Sequence, residues 1–286
     1  MRYTFYGEWA NYPHCPAPGC ERLITVALGG NYGMHEFWAF ALVGFLAQLV
    51  DGALGMGFGV ISSAVLLAQG VPPALASASV NAAKLPTTGT AALSHYWHKN
   101  LDWHIIILLC IFGALGGMIG ATVLTSLKGK TLTIMINVYL LLIGALVIYR
   151  GLLDVAPRLF PKGFTRVIGF AGGLIEGIGG SWGPIVTTSL LGAGTESRYA
   201  IGSSNFSEFV VSIAVFSTFV AAFAVGHWQG GSEWRDVAWP IVGLVVGGLP
   251  AAVIGGYLSK IAPKRPLTIA VGLLAISIGI YRFATM

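Results

Sequence analysis

Charge is what this chain lacks most. Asp, Glu, Lys and Arg make up 9% of its residues, where a soluble domain carries about 25%. That shortage excludes an ordinary water-facing surface. Cysteine is scarce too, with three residues in 286, so a disulfide scaffold does not hold the chain together. No P-loop or H-E-x-x-H pattern occurs, which removes the motif grounds for a P-loop ATPase or a zinc peptidase. Residues 1–33 lack the basic start and long apolar core of a signal peptide, so they read as a polar tail of the mature protein.

What is present is apolar and rich in glycine. Hydrophobic residues are 55% of the chain, and glycine occurs 40 times. Glycine in such numbers suits membrane helices that pack closely. The apolar runs are too long and too continuous for an outer-membrane barrel, whose strands alternate over about 10 residues. The expected fold is an all-α polytopic membrane protein in contact with the lipid bilayer. The net charge of +5 does not point to nucleic acid, because Lys and Arg sit mostly in short loops, where they set topology.

The chain contains one module twice. Residues 44–85 read GFLAQLVDGALGMGFGVISSAVLLAQGVPPALASASVNAAKL, and 169–209 read GFAGGLIEGIGGSWGPIVTTSLLGAGTESRYAIGSSNFSEF. With a single one-residue gap, Asp51-Gly52 meets Glu176-Gly177 and Phe58-Gly59 meets Trp182-Gly183. Ser79-x-Asn81 then meets Ser203-x-Asn205, and Lys84 falls opposite Glu208. Each copy reads as five helical segments: a first run, a Gly-rich break, a short second run, an unusually polar helix, and two ordinary spans. The breaks are Gly55–Gly59 and Gly179–Pro184, and Pro86 is expected to kink the first polar helix. The short runs at 60–69 and 185–193 cannot cross about 30 Å of hydrocarbon alone. The first two segments of each copy are therefore expected to form a broken or re-entrant hairpin. An odd number of crossings per copy makes the copies inverted repeats. The organisation is then a tail at 1–33, repeats at 34–153 and 166–286, and a central loop at 154–165.

The positive-inside rule orients the chain. One face collects Lys99, Arg150, Arg158, Lys162, Arg166, Arg198, Lys260, Lys264 and Arg265; the other has Arg2, Arg22, Lys128, Lys130, Arg235 and Arg282. The first is expected to be cytoplasmic and both termini periplasmic. An oxidising exterior would allow Cys15 and Cys20, which flank Pro-Ala-Pro-Gly, to close a disulfide loop. A zinc site there would need further ligands beyond the C-x4-C pair.

An ionisable side chain at membrane depth faces a cavity or a partner. Lys84 lies mid-helix on one face with Asn81 and Ser77. It suits a small oxyanion, or equally an ion pair with Glu208, Asp51 or Glu176. Asp51 and Glu176 each end a first run just before Gly, placed to cap a helix, pair with Lys84 or carry a coupling proton. Helix breaks present backbone N–H groups to an anion. The candidate substrate contacts are therefore Asn81, Lys84, Ser203, Ser204 and Asn205, with Gly57, Phe58, Gly59, Ser181, Trp182 and Gly183 at the breaks. Asp51, Glu176 and Glu208 are the coupling or gating candidates. His95-Tyr-Trp-His98 reads as an interfacial anchor rather than a metal pair. Gly113-x-x-x-Gly117 offers either crowding within the chain or a homodimer seam. No cofactor or metal is expected.

The chain resembles the sulfite exporter TauE/SafE family of secondary transporters over about residues 37–286. The residues that carry this are GFLAQLVDGALGMGFG, GVPPALASASVNAAKLPTTGTAALSHYWHKNLDW, the Gly-rich GALGGMIGA and the second copy in the same order. The resemblance implies export of small sulfur-containing anions, such as sulfoacetate, sulfite or other organosulfonates, across a bacterial inner membrane. A carrier or channel for another small anion, and a membrane enzyme using His95 or His98, are the alternatives.

Overall fold

The computed structural model describes residues 34–127, 129–152, 163–226, 235–261 and 263–285. The tail with Cys15 and Cys20 and most of the 154–165 loop lie outside them. Ten helices account for the described residues. The first copy comprises α1 (Met34–Leu54), α2 (Phe58–Ala68), α3 (Pro73–Trp97), α4 (Trp103–Ser126) and α5 (Gly129–Leu152). The second comprises α6 (Phe164–Gly179), α7 (Gly183–Gly192), α8 (Ser197–Ala224), α9 (Arg235–Ile261) and α10 (Lys264–Ala284). Among the described residues, five helices are long and apolar enough to cross a membrane: α1, α4, α5, α8 and α10. The chain is a multi-pass membrane protein. At 11 and 10 residues, α2 and α7 span only about 15–16 Å at about 1.5 Å per residue, half the hydrocarbon thickness.

Local chemistry sets the boundaries. Gly55 and Gly180 adopt left-handed φ values of 67° and 70°. Their N–H groups close the last turns of α1 and α6 on Asp51 O at 2.6 Å and Glu176 O at 2.7 Å. Glycine takes that conformation without the cost a Cβ would add. Asp102 starts α4 by accepting from His104 N and Ile105 N. Pro86 does not end α3, which runs on through it. The packed polar core holds the helix despite the missing N–H.

The tightest packing is between the copies. The first helix of each lies along the fourth helix of the other: α1 on α9, and α6 on α4. The third helices α3 and α8 pack on each other, as do the last helices α5 and α10. Gly113 and Gly117 touch Gly173 and Gly177 backbone to backbone, so no side chain fits at the α4–α6 crossing. The Gly113-x-x-x-Gly117 motif is thus used within the chain.

Candidate functional site

The two helix breaks lie against each other at the centre. Ser63 Oγ on α2 donates to Gly179 O at 2.7 Å, and Thr187 Oγ1 on α7 donates to Gly55 O at 2.6 Å. Each short helix therefore ties down the break of the other copy. Their far ends follow the same exchange. Arg282 of α10 donates to Leu67 O at the end of α2, and the Arg150 guanidinium of α5 lies beside Gly192 at the end of α7. Phe58 and Trp182 are both fully buried. Phe58 reaches Gly248 of α9, and Trp182 reaches Gly113 of α4.

Lys84 sits between these breaks with no exposed surface. Its ammonium donates to Glu176 Oε1, Glu208 Oε1 and Gly180 O, each at 2.7 Å. All three N–H donors are used, so a substrate would have to displace one partner. Of the two readings of Lys84, this geometry displays the ion pair. Gly59 has no side chain because one would overlap Gly180 O and come within 2.8 Å of the ammonium.

The three carboxylates are held differently. Asp51 Oδ1 accepts from Phe58 N at 3.3 Å and so caps the start of α2, where the helix dipole favours an anion. Glu176 Oε1 receives Lys84 and also Ser212 Oγ at 3.4 Å. Glu176 is near the end of α6, where the dipole opposes it by about 0.3–1 kcal/mol. Hydrogen bonds to charged groups contribute about 1.5–3 kcal/mol each, so its donors outweigh the dipole. Glu208 is mid-helix and, among the described residues, has only the shared ammonium. The second oxygens of all three carboxylates have no partner among the described residues.

Asn81 and Asn205, the matched pair, are fully buried, and each leaves Oδ1 without a partner among the described residues. Asn81 Nδ2 donates to Ser77 O at 2.9 Å. Ser203 and Ser204 are taken up structurally. Ser203 Oγ accepts from Asp102 N at 2.9 Å. Ser204 Oγ accepts from Trp182 Nε1 at 3.0 Å and donates to Thr187 Oγ1 at 2.7 Å, the Thr187 proton being given to Gly55 O. Ser181 turns back onto Gly179 O at 3.4 Å, and Gly183 lies against Gly55 and Met56.

Two residues enter that sequence reasoning misplaces or misses. His95 is fully buried rather than interfacial. Its ring meets the amides of Asn100 at 3.3 Å and Asn205 at 3.4 Å, while its neighbours Tyr96 and Trp97 point outward. The cause is register: His95 lies eleven positions after Lys84 on α3, three helical turns on and so on the same face. Gln48, one turn before Asp51 on α1, is fully buried with neither amide atom paired among the described residues. A lone polar residue in an apolar run, one turn from Asp51, is the signal that could have found it. Among the described residues, no group of three or more His, Cys, Asp or Glu side chains is placed to hold a metal ion.

A buried ammonium, amide atoms without a partner among the described residues and two abutting helix breaks can hold a small polar solute, and the sequence comparisons name the class. The model of the sulfite exporter TauE/SafE family matches residues 40–284. The chain belongs to the TauE/SafE family. It is also 34% identical over 248 residues to the "Probable membrane transporter protein YtnM" of Bacillus subtilis (strain 168), covering 84% of this chain and 80% of that protein. No solved structure gives a significant match. This TauE/SafE protein is accordingly a membrane transporter, and its buried polar centre is the candidate transport site.

Proposed function

We propose that the protein is a secondary exporter of small sulfur-containing anions, with sulfoacetate, sulfite and related organosulfonates as substrates, across a bacterial inner membrane. The observation that carries this is the buried ammonium of Lys84, at the junction of the two breaks, in a chain of this family. Asn81, Asn205, Gln48 and Lys84 contact the anion, and Phe58 and Trp182 wall the site. Asp51, Glu176 and Glu208 couple or gate. The copies are inverted in the bilayer, with the 154–165 loop cytoplasmic and both termini periplasmic. The exchange of contacts between copies supports this reading. One half rocking against the other then exposes the centre alternately to each side.

The test is flux of labelled sulfoacetate and sulfite from proteoliposomes. Saturable flux that is lost in Lys84→Ala is expected. Undiminished flux in the combined Asn81→Ala, Lys84→Ala and Asn205→Ala variant would overturn the site. Cysteines placed in the 154–165 loop should resist an impermeant reagent added to intact cells; strong labelling reverses the orientation.

A further inference from the structure

We propose that Glu208 is a proton-binding site whose protonation frees Lys84 for the transported anion, so that anion and proton bind together. This rests on the exporter reading for the identity of the anion, but the proton site itself does not.

The centre has more carboxylates than Lys84 can neutralise. Lys84 is bonded by two, Glu176 and Glu208, at equal 2.7 Å distances. All three side chains are 0–2% exposed. With both carboxylates ionised this group carries one net negative charge, which opposes any entering anion. Asp51 adds a third carboxylate nearby, but its charge faces the α2 N-terminus through Phe58 N. One proton on the Lys84 group makes it neutral.

Local donors decide where that proton sits. Glu176 has the Ser212 hydroxyl in addition to the ammonium. Asp51 has a backbone amide and a helix end. Among the described residues, Glu208 has nothing but the ammonium it shares, and its Oε2 is buried without a partner. Other groups around α8 do not replace it. α3 contributes Lys84 and His95, and His95 is engaged by Asn100 and Asn205. α4 contributes Cys110 and Asp102, the latter occupied as the α4 cap. α6 contributes Glu176 itself. α7 brings only hydroxyls among its polar side chains, and Ala238–Ile254 of α9 brings no titratable group.

The step is a simple transfer. A hydronium from the open side gives its proton to Glu208 Oε2, an O–H bond forms, and a water is left. The neutral carboxyl no longer holds the ammonium as an anion does. Lys84 keeps Glu176 and Gly180 O and turns its third N–H toward the substrate. With a dianion such as sulfoacetate, the loaded complex still moves one net negative charge, so an inside-negative potential continues to drive it outward.

The experiment uses the full chain in lipid nanodiscs and has two arms. The first needs no substrate. Infrared difference spectra between high and low pH should show a protonated-carboxyl band that is missing in Glu208→Gln and kept in Asp51→Asn. A band unchanged by Glu208→Gln overturns the proposal. Should that variant fail to fold, Glu208→Asp must shift the same band, and an unshifted band is equally fatal. The second arm titrates sulfoacetate at several pH values with a proton-sensitive dye. About one proton should be taken up per anion bound, with Kd rising about tenfold per pH unit across the range of uptake. Glu208→Gln should bind with a flat pH profile. Binding without proton uptake in the wild type overturns the coupling. Absence of sulfoacetate binding at any pH sinks the substrate assignment, while the infrared arm still decides the proton site.

Discussion

The two breaks share a backbone but not an electrostatic task. In the first copy, Asp51 stays at home and caps the helix that follows its own break. In the second, the matched Glu176 leaves its break and reaches Lys84 of the other copy. One local difference accompanies this. Pro184 stands at the start of α7 where the first copy has Val60. Proline has no N–H, so the second short helix begins with one donor fewer to satisfy. Gly180 O, matched to Gly55 O as the carbonyl of a left-handed helix end, is also given to Lys84 rather than to a hydroxyl. The two segments share a scaffold but not their charges: one supplies the cation and the other all three of its ligands.

The harshest way to break this comparison is to remove the cation. Lys84→Met leaves Glu176 and Glu208 buried and unpaired, which costs about 3–5 kcal/mol. The combined Lys84→Met, Glu176→Gln, Glu208→Gln protein should recover most of that. Thermal unfolding in detergent reads both, and a Lys84→Met protein that melts like the wild type refutes the buried triad. A charge swap sharpens the same point. Glu208→Lys combined with Lys84→Glu should fold better than either single change. The relocated ammonium then faces the carboxylate introduced on α3.

Next in size is the contrast between the matched acids. Glu176→Gln should cost about 1.5–3 kcal/mol, the value of a hydrogen bond to a charged group. Asp51→Asn should cost about 1 kcal/mol or less, because asparagine also caps a helix. Equal losses in chemical denaturation would mean that the two acids have not parted in role. The smallest expected effects test what the copies retain in common. Ser63→Ala deletes one hydroxyl bond to the opposite break, and so does Thr187→Val when it is made in a Ser204→Ala background that has already removed the Thr187–Ser204 bond, each at about 1 kcal/mol. Their losses should match within about 0.5 kcal/mol, half the value of one such bond. Unequal losses would show the reciprocity to be one of shape alone.

Much of this is legible in the chain, for reasons that differ by element. The apolar runs announce the helices, because composition and length decide spanning segments. Gly55 and Gly180 mark the breaks, since glycine is the residue most common in a left-handed helix end. Lys84 stands out because an ammonium inside a membrane helix demands a partner. Pairing is not legible. Glu208, Asp51 and Glu176 are equal candidates for Lys84 on sequence grounds, and only tertiary geometry chooses two of them. Ser203 and Ser204 look like ligand contacts, yet they satisfy Asp102 N and the Trp182 indole. A hydroxyl next to a binding residue has the same sequence signature whether it faces a solute or a backbone. His95 is drawn outward on paper by its neighbours Tyr96 and Trp97, although helical register places it inward.

The α1–α9 pairing has a consequence for synthesis. Gly44 and Ala41 of α1 are shaped to receive Leu244 and Gly247 of α9, which leave the ribosome much later than α1 does. At about 5–20 residues per second, that separation is a wait on the order of 10–40 s. For that interval α1 sits in the insertion machinery or the lipid with its closest mate unmade. The nascent first half is thus an unfinished product, and its assembly waits on the last part of the message.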